Sequence, residues 1–526
     1  MRVLLVAVAL LAAFLPALAT PALQGQSGRF LAGDDVKVGN VIFLHACGTG
    51  MNTLNLGRTY WAGPDDREKW NWDQIPEMAV YRAHMKDQLV GTHNGGATIH
   101  AFGYKVDADS FGQDGDRSIK ALSGFPGSIL REAQHHGMPT ALTNDGSLAV
   151  PGTGSFTSEV DPEARTSAEI VRQIVDGRPG FENKDFPPEV LLAGGESLFL
   201  PEGTPECGEK ITHDCFVHKD PVSGAGPQRT DGRNLIRDLA NRGYTVIRTR
   251  QEFDELLHRI ESDPHFFPKV LGLFARGDTF NGETEEQLIE DGLVIEERAG
   301  TKEGRLLLFG GRPGTRSFNP PSAAELGKMA LLLIKRFSNA AGKPFFAALE
   351  LESTDDFPNI ANGIGTLNAV KRADDLIGVV RDFFENVDPH SFGILPPVND
   401  AGGPQLFIPI VDDEGKVTIT GGNPSLENEP VGIFPLDGFE GRNTLPFESA
   451  PNAFGFIQKF AIGYVGTEDV HGAILARAGG INAHLLRDKF SVFFDNTDVY
   501  RLMYLSLFGK FLPESYGQNA PDRDGH

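Results

Sequence analysis

The strongest constraint on the fold is an alternation of two hydrophobic periods along the chain. Apolar runs of strand length occur at 40–44 (NVIFL), 140–144 (TALTN), 189–195 (EVLLAGG), 244–249 (YTVIRT), 269–275 (KVLGLFA), 344–351 (PFFAALEL) and 391–398 (SFGILPPV). Several end in Gly, Asp or Asn, which favour turns. Between them lie helical patterns. The stretch 322–337 opens on Ser322 with Glu325 three residues on, a capping box. The stretch 366–386 sets Leu367, Val370, Ala373, Ile377, Val380 and Phe384 at helical spacing. A strand that is apolar on both sides must be covered on both sides. The predicted class is therefore α/β: three layers, a mostly parallel central sheet with helices on both faces. Ligands of such sheets bind beyond the carboxyl ends of the strands.

Two segments break the rhythm. Residues 200–232 form a polar loop with two cysteines, and 399–455 are rich in Gly, Pro, Asn and acidic residues, with short strands at QLFIPIV and KVTIT. The second reads as a loop- and β-rich insertion over one end of the sheet. The N-terminus, MRVLLVAVALLAAFLPALATPA, has a basic start, an apolar run over 3–15 and a small-residue site before Thr20. It predicts a signal peptide over 1–19, then one domain over 20–526, in a secreted or periplasmic protein. No later run approaches membrane length. Lys and Arg total 48 against 71 Asp and Glu, a formal net charge of −23. Such a surface repels nucleic acid and anionic membranes. In an oxidising compartment the segment CGEKITHDC reads as a local disulfide between Cys207 and Cys215, a metal site with His213 being the alternative. Cys47 is left as a buried thiol.

Residues 41–61, VIFLHACGTGMNTLNLGRTYW, pose the functional question. An apolar run breaks into a glycine-rich turn that offers His45, Cys47 and Thr49 but no carboxylate. Other stretches carry a resemblance: EVLLAGGESLFLPEG (189–203), TDGRNLIRDLANRGYTVIRTRQEF (230–253), KVLGLFARG (269–277), KPFFAALELESTD (343–355) and DNTDVYRLMYLSLFG (495–509). In this order they resemble the alkaline phosphatase family over nearly the whole mature chain. The resemblance implies two zinc ions and one magnesium held by carboxylates, imidazoles and a hydroxyl, a serine nucleophile, and an arginine that orients phosphate. Two cations about 4 Å apart would stabilise the attacking and leaving oxygens together.

Carried over residue by residue, that pattern is much altered. The family's bridging aspartate falls on Cys47. The nucleophile motif resembles GTHNGGATIHAFGYK (91–105), which puts His93 at the serine. A competing register through DADS (107–110) keeps Ser110 as nucleophile. Thr153 takes the magnesium hydroxyl, with Val150 at the acidic ligand. Glu350 and Asp355 keep a magnesium and a zinc carboxylate, whereas Asn359, Val398, Asn399 and Val465 replace zinc ligands, His471 lying six residues beyond the last. Arg165 is the candidate phosphate arginine.

The resulting expectation is a catalytically silent relative. It retains Glu350, Asp355 and Thr153, with Cys47 in place of aspartate, and no tightly bound cofactor, at most one weak magnesium or calcium. One rival is an active phosphomonoesterase with zinc and magnesium, using Ser110. Another is a new Cys47–His93 site at the ends of adjacent strands, as nucleophile and base or as soft-metal ligands. A third is a binding protein that holds a small phosphorylated ligand in the emptied pocket or a partner on 399–455. A homodimer is implied by the resemblance alone.

Overall fold

In a computed structural model of the chain, all seven apolar runs become strands of one sheet. The structure describes residues 36–65, 69–163, 165–182, 184–417, 436–490 and 493–513. The expected signal peptide, and residues 418–420 of KVTIT, lie outside them. The runs are β1 (Asn40–Ala46), β3 (Thr140–Ser147), β4 (Val190–Gly194), β5 (Tyr244–Ile247), β6 (Lys269–Leu273), β7 (Phe346–Leu351) and β8 (Ser391–Leu395). Three further strands, β2 (Glu77–Arg82), β9 (Leu475–Gly480) and β10 (Phe493–Asp495), extend the β8 edge. The order is β10-β2-β9-β8-β1-β7-β3-β4-β6-β5. Every pairing is parallel except those of β9, which runs against both β8 and β2.

Strand alternation sorts the two faces. Val41, Phe43, Leu142, Phe346 and Ala348 pack in one core with Ala101, Phe102, Val499 and Tyr500, from helices His93–Phe102 and Asn496–Phe508. Ile42, Leu44, Ala347 and Leu349 pack in the other with residues of helices Ala323–Ala341 and Gly363–Asp382. Ser322 and Glu325 form the expected capping box. The three-layer α/β arrangement read from the sequence is present. Short strands at Gln405–Phe407, Asp437–Gly438, Gly441–Arg442 and Phe447–Glu448 form a small antiparallel sheet around Lys459–Gly463. It leaves Ile408 86% and Phe454 85% exposed.

Cys207 and Cys215 are joined as a disulfide, so the alternative metal site with His213 does not form: the sulfurs bond to each other. The 200–232 loop is anchored beside it. Buried Glu196 accepts the N–H groups of Val217 and His218 and pairs with Arg248 at 3.0 Å. Replacing both cysteines by serine should cost about 2–3 kcal/mol in denaturant unfolding, the chain-entropy value for so short a loop.

The N-terminus of helix Gly363–Asp382 rests on a carboxylate. Gly363 N–H donates to Glu285 at 2.6 Å, and Asp437 packs beside it. Burial, then repulsion from Glu286, lifts Glu285 to about 8, and burial with Glu285 lifts Asp437 to about 9. These acids keep protons in the fold that the unfolded chain has released above about pH 4.5. Their stabilisation is complete below that pH and is lost as pH rises through about 8–9, by up to about 1.4 kcal/mol per pH unit. Glu285→Gln should flatten the fall in melting temperature between about pH 5 and pH 9.

Candidate metal and nucleophile site

The register of three strands builds the centre of the site. His45 on β1 and Asn144 on β3 both lie opposite Glu350 on β7, so their side chains share one face at the carboxyl edge. Glu350 is 1% exposed. Its Oε1 accepts the Gly152 N–H at 2.9 Å and lies 2.8 Å from His93 Nε2 and 3.2 Å from His45 Nδ1. Its Oε2 accepts Asn144 Nδ2 at 2.6 Å, with the Thr153 hydroxyl at 3.3 Å. Two carboxylate oxygens offer about four lone-pair positions, and four N–H groups converge on them, the Thr153 hydroxyl also facing the Val150 carbonyl at 3.2 Å. Burial alone would raise the Glu350 carboxyl, but the hydrogen bonds and charges of His45 and His93 outweigh it and hold it at about 2.

The two imidazoles differ. Burial outweighs Glu350 at His45 and lowers its pKa. At His93 burial also favours the neutral ring, yet hydrogen bonding and attraction from Glu350 win, and its pKa is raised. An ionised carboxylate only accepts, so the neutral His45 ring carries its proton on Nδ1. Its Nε2, fully buried, has no hydrogen-bond partner.

The turn after β1 needs its glycine. Gly48 has φ +68°, and a Cβ there would lie 2.6 Å from Asp355 Oδ1. This close approach brings Cys47 Sγ to within 3.4 Å of Asp355 Oδ1. Thr354 Oγ1 donates to the Cys47 carbonyl at 2.6 Å. Asp145 accepts the Glu352 N–H at 2.7 Å and fixes the start of helix Ser353–Asn359.

Beyond Glu350 the charge is unbalanced. Burial, then repulsion from Asp356, Glu350 and Asp355, pushes Glu352 well up. Burial and Asp469 lift Asp355 to about 7, and burial with Asp278 lifts Asp356 to about 8. The Asn359 amide donates to both Asp355 Oδ2, at 3.2 Å, and Asp469 Oδ1, at 3.1 Å. Two sets of metal-ligating types lie within 4.8 Å of one another: His45, Cys47 and His93, and His93, Glu352 and Asp355.

The structure thus brings Cys47, His93, Thr153, Glu350 and Asp355 together. His93 reaches Cys47 from a different direction than anticipated. It heads the helix that follows β2, which is separated from β1 by β9 and β8, so the two do not stand on adjacent strands. Ser110 is fully buried, its hydroxyl accepting the Gly115 N–H. Arg165 is engaged by Asp109 at 2.9 Å and lies over Phe111. Val398 and Asn399 are buried, while Val465 is 56% exposed. Sequence reasoning assigned no role to His45, Asn144, Gly152, Glu352 or Asp469. The second glutamate of LELES was the one visible signal.

These features agree with the comparisons. The alkaline phosphatase family matches residues 38–394. The chain belongs to the alkaline phosphatase family. It is similar to the repressible alkaline phosphatase of Saccharomyces cerevisiae, 24% identical over 371 residues. That match covers 70% of this chain but spans only 56% of the yeast protein's length. Among solved structures, the Thermus thermophilus alkaline phosphatase has a TM-score of 0.58 and 15% identity, covering 95% of this chain and 97% of its own. The enzyme from the Antarctic bacterium TAB5 has a TM-score of 0.54 and 13% identity, covering 90% and 99%. A TAB5 variant holds Mg in its M3 site. At these identities the structural likeness establishes the fold.

A Cβ on Gly152 would fall 2.0 Å from Glu350 Oε1 and 2.3 Å from His45 Nδ1. Gly152→Ala should therefore break the Glu350 cluster and cost roughly 3 kcal/mol or more in denaturant unfolding. Gly208→Ala, where a Cβ meets nothing within 4 Å, is the control and should move stability by less than about 0.5 kcal/mol.

Proposed function

We propose that this chain is an alkaline-phosphatase-like protein that does not turn over phosphate monoesters. The observation that carries this reading is the saturation of Glu350 by Gly152, His45, His93, Asn144 and Thr153. The resemblance makes Glu350 and Thr153 magnesium ligands, yet Oε1 already meets three N–H donors and Oε2 the Asn144 amide, and a thiol at Cys47 suits magnesium poorly. The family's magnesium does not fit this donor set. Its zinc pair fits no better. Asn359 holds Asp355 and Asp469 together by hydrogen bonds, and Val398 offers no donor. On the register that puts His93 at the nucleophile position, its Nε2 is committed to Glu350.

A p-nitrophenyl phosphate assay at alkaline pH with zinc and magnesium should show turnover at least about 10³-fold below that of an active relative. Metal-dependent turnover abolished by Ser110→Ala would replace this reading with the ordinary hydrolase. Retention of a small phosphorylated ligand without cleavage would place the chain among binding proteins.

We further propose a secreted or periplasmic location. The disulfide and the N-terminal apolar run support it, and no helix among the described residues is long and apolar enough to cross a membrane. N-terminal sequencing of the exported protein should begin at Thr20. The exposed apolar side chains of Leu406, Phe407 and Ile408 support self-association as a homodimer, which sedimentation would read directly.

A further inference from the structure

The amino edge of the sheet, at the opposite end of the strands from Glu350, holds a cavity of ≈ 850 Å³. Small-molecule sites occupy about 300–1,000 Å³. Strand register builds one wall. Lys269 lies opposite Tyr244 where β6 pairs with β5, and Glu189 directly precedes the Val190–Val270 pair of β4 and β6. The three side chains therefore stand in a row on one face. Phe186 and Phe337 supply apolar wall. Phe186 is 59% exposed, although its carbonyl is held by Arg131 at 2.8 Å and by Gln134 at 2.9 Å. Its backbone is fixed and its ring is left uncovered.

The charges around this cavity differ in commitment. Glu189 accepts the Thr140 N–H at 2.8 Å, and burial outweighs the attraction of Lys269 and raises its carboxyl. Asp185 is paired with Arg178 at 2.7 Å and Asp176 with Arg242 at 3.1 Å. Lys269 is the cation left over. Among the described residues its ammonium has neither a hydrogen bond nor an ion pair, and it lies 5.5 Å from the centre of the Tyr244 ring. The Tyr244 hydroxyl already donates to the Pro187 and Pro188 carbonyls, so this residue offers its ring. We propose that the cavity binds a compact aromatic monoanion, a carboxylate or sulfonate, with its charge on Lys269 and its ring against Tyr244, Phe186 and Phe337. The anion would complete the unpaired ammonium, and a flat apolar body would cover the rings. A second negative charge would meet Asp176, Asp185 and the exposed Glu182, which disfavours dianions such as phosphate monoesters. The site shares no residue with the Glu350 cluster, so it stands or falls apart from the silent reading.

The test measures uptake of naphthoate by the mature full-length protein in equilibrium dialysis. One molecule per chain should bind, with a Kd on the order of 0.1 mM. Naphthylmethanol, the same ring without the charge, should bind at least about 10-fold more weakly. Lys269→Met should weaken naphthoate by a similar factor and leave the alcohol unchanged, whereas Lys269→Arg should retain the acid. Phe186→Ala, which trims an exposed ring, should weaken both ligands about 5-fold. These variants should melt within about 2 °C of wild type, which separates loss of the site from loss of the fold. No uptake at about 1 mM naphthoate would overturn the proposal. Equal affinity in Lys269→Met would do the same, as would tighter binding of naphthylmethylamine, which would make the cavity a cation site. Loss of uptake in Phe454→Ser but not in Lys269→Met would move the ligand to the exposed insertion and overturn it too.

Discussion

A buried carboxylate at the carboxyl edge of the sheet organises this protein. Isolated in the interior, the ionised Glu350 would cost several kcal/mol. It is retained because β1, β7 and β3 run in a register that sets His45 and Asn144 on either side of it. The short helix Pro151–Gly154 adds a backbone donor, and the helix His93–Phe102 adds an imidazole. Each of these groups is oriented by the same two oxygens. From the sequence, a magnesium ion is expected to meet this carboxylate. Here protons carried on nitrogen do so.

That substitution divides the site into two electrostatic halves. Around Glu350, attraction wins over burial and the acid is strongly held in its ionised form. Around Glu352, Asp355 and Asp356, burial and mutual repulsion dominate, and each acid is raised. His93 stands on the boundary, one ring nitrogen facing each half. The first half is complete as folded. The second has more negative groups than its surroundings balance.

Much of the fold was legible because strands buried on both faces must be apolar throughout. NVIFL and PFFAALEL could scarcely be anything else in a chain that alternates with amphipathic helices. β2, β9 and β10 were not, for reasons of environment. β2 leaves Met78 51% and Val80 45% exposed, and β9 ends in two glycines. In the site, Cys47, His93, Thr153, Glu350 and Asp355 were found through motif order. Asn144 and His45 were missed because their roles come from register across three strands, which no local spacing records. Glu352 lay outside the family pattern, and Asn359 was noted only as a lost ligand, whereas it holds two acids together.

The reversed strand β9 carries a consequence for assembly. It lies between β8 and β2 and supplies the ladder to each. Strand β2 leads into the helix that begins with His93, so that imidazole is anchored to the sheet through residues 475–480. The helix that carries His93 and the strand at 475–480, far apart in the chain, are thus mutually dependent. Without residues 475–480, strand β2 would have no ladder to β8, and the His93 ring would lose that tie to the sheet.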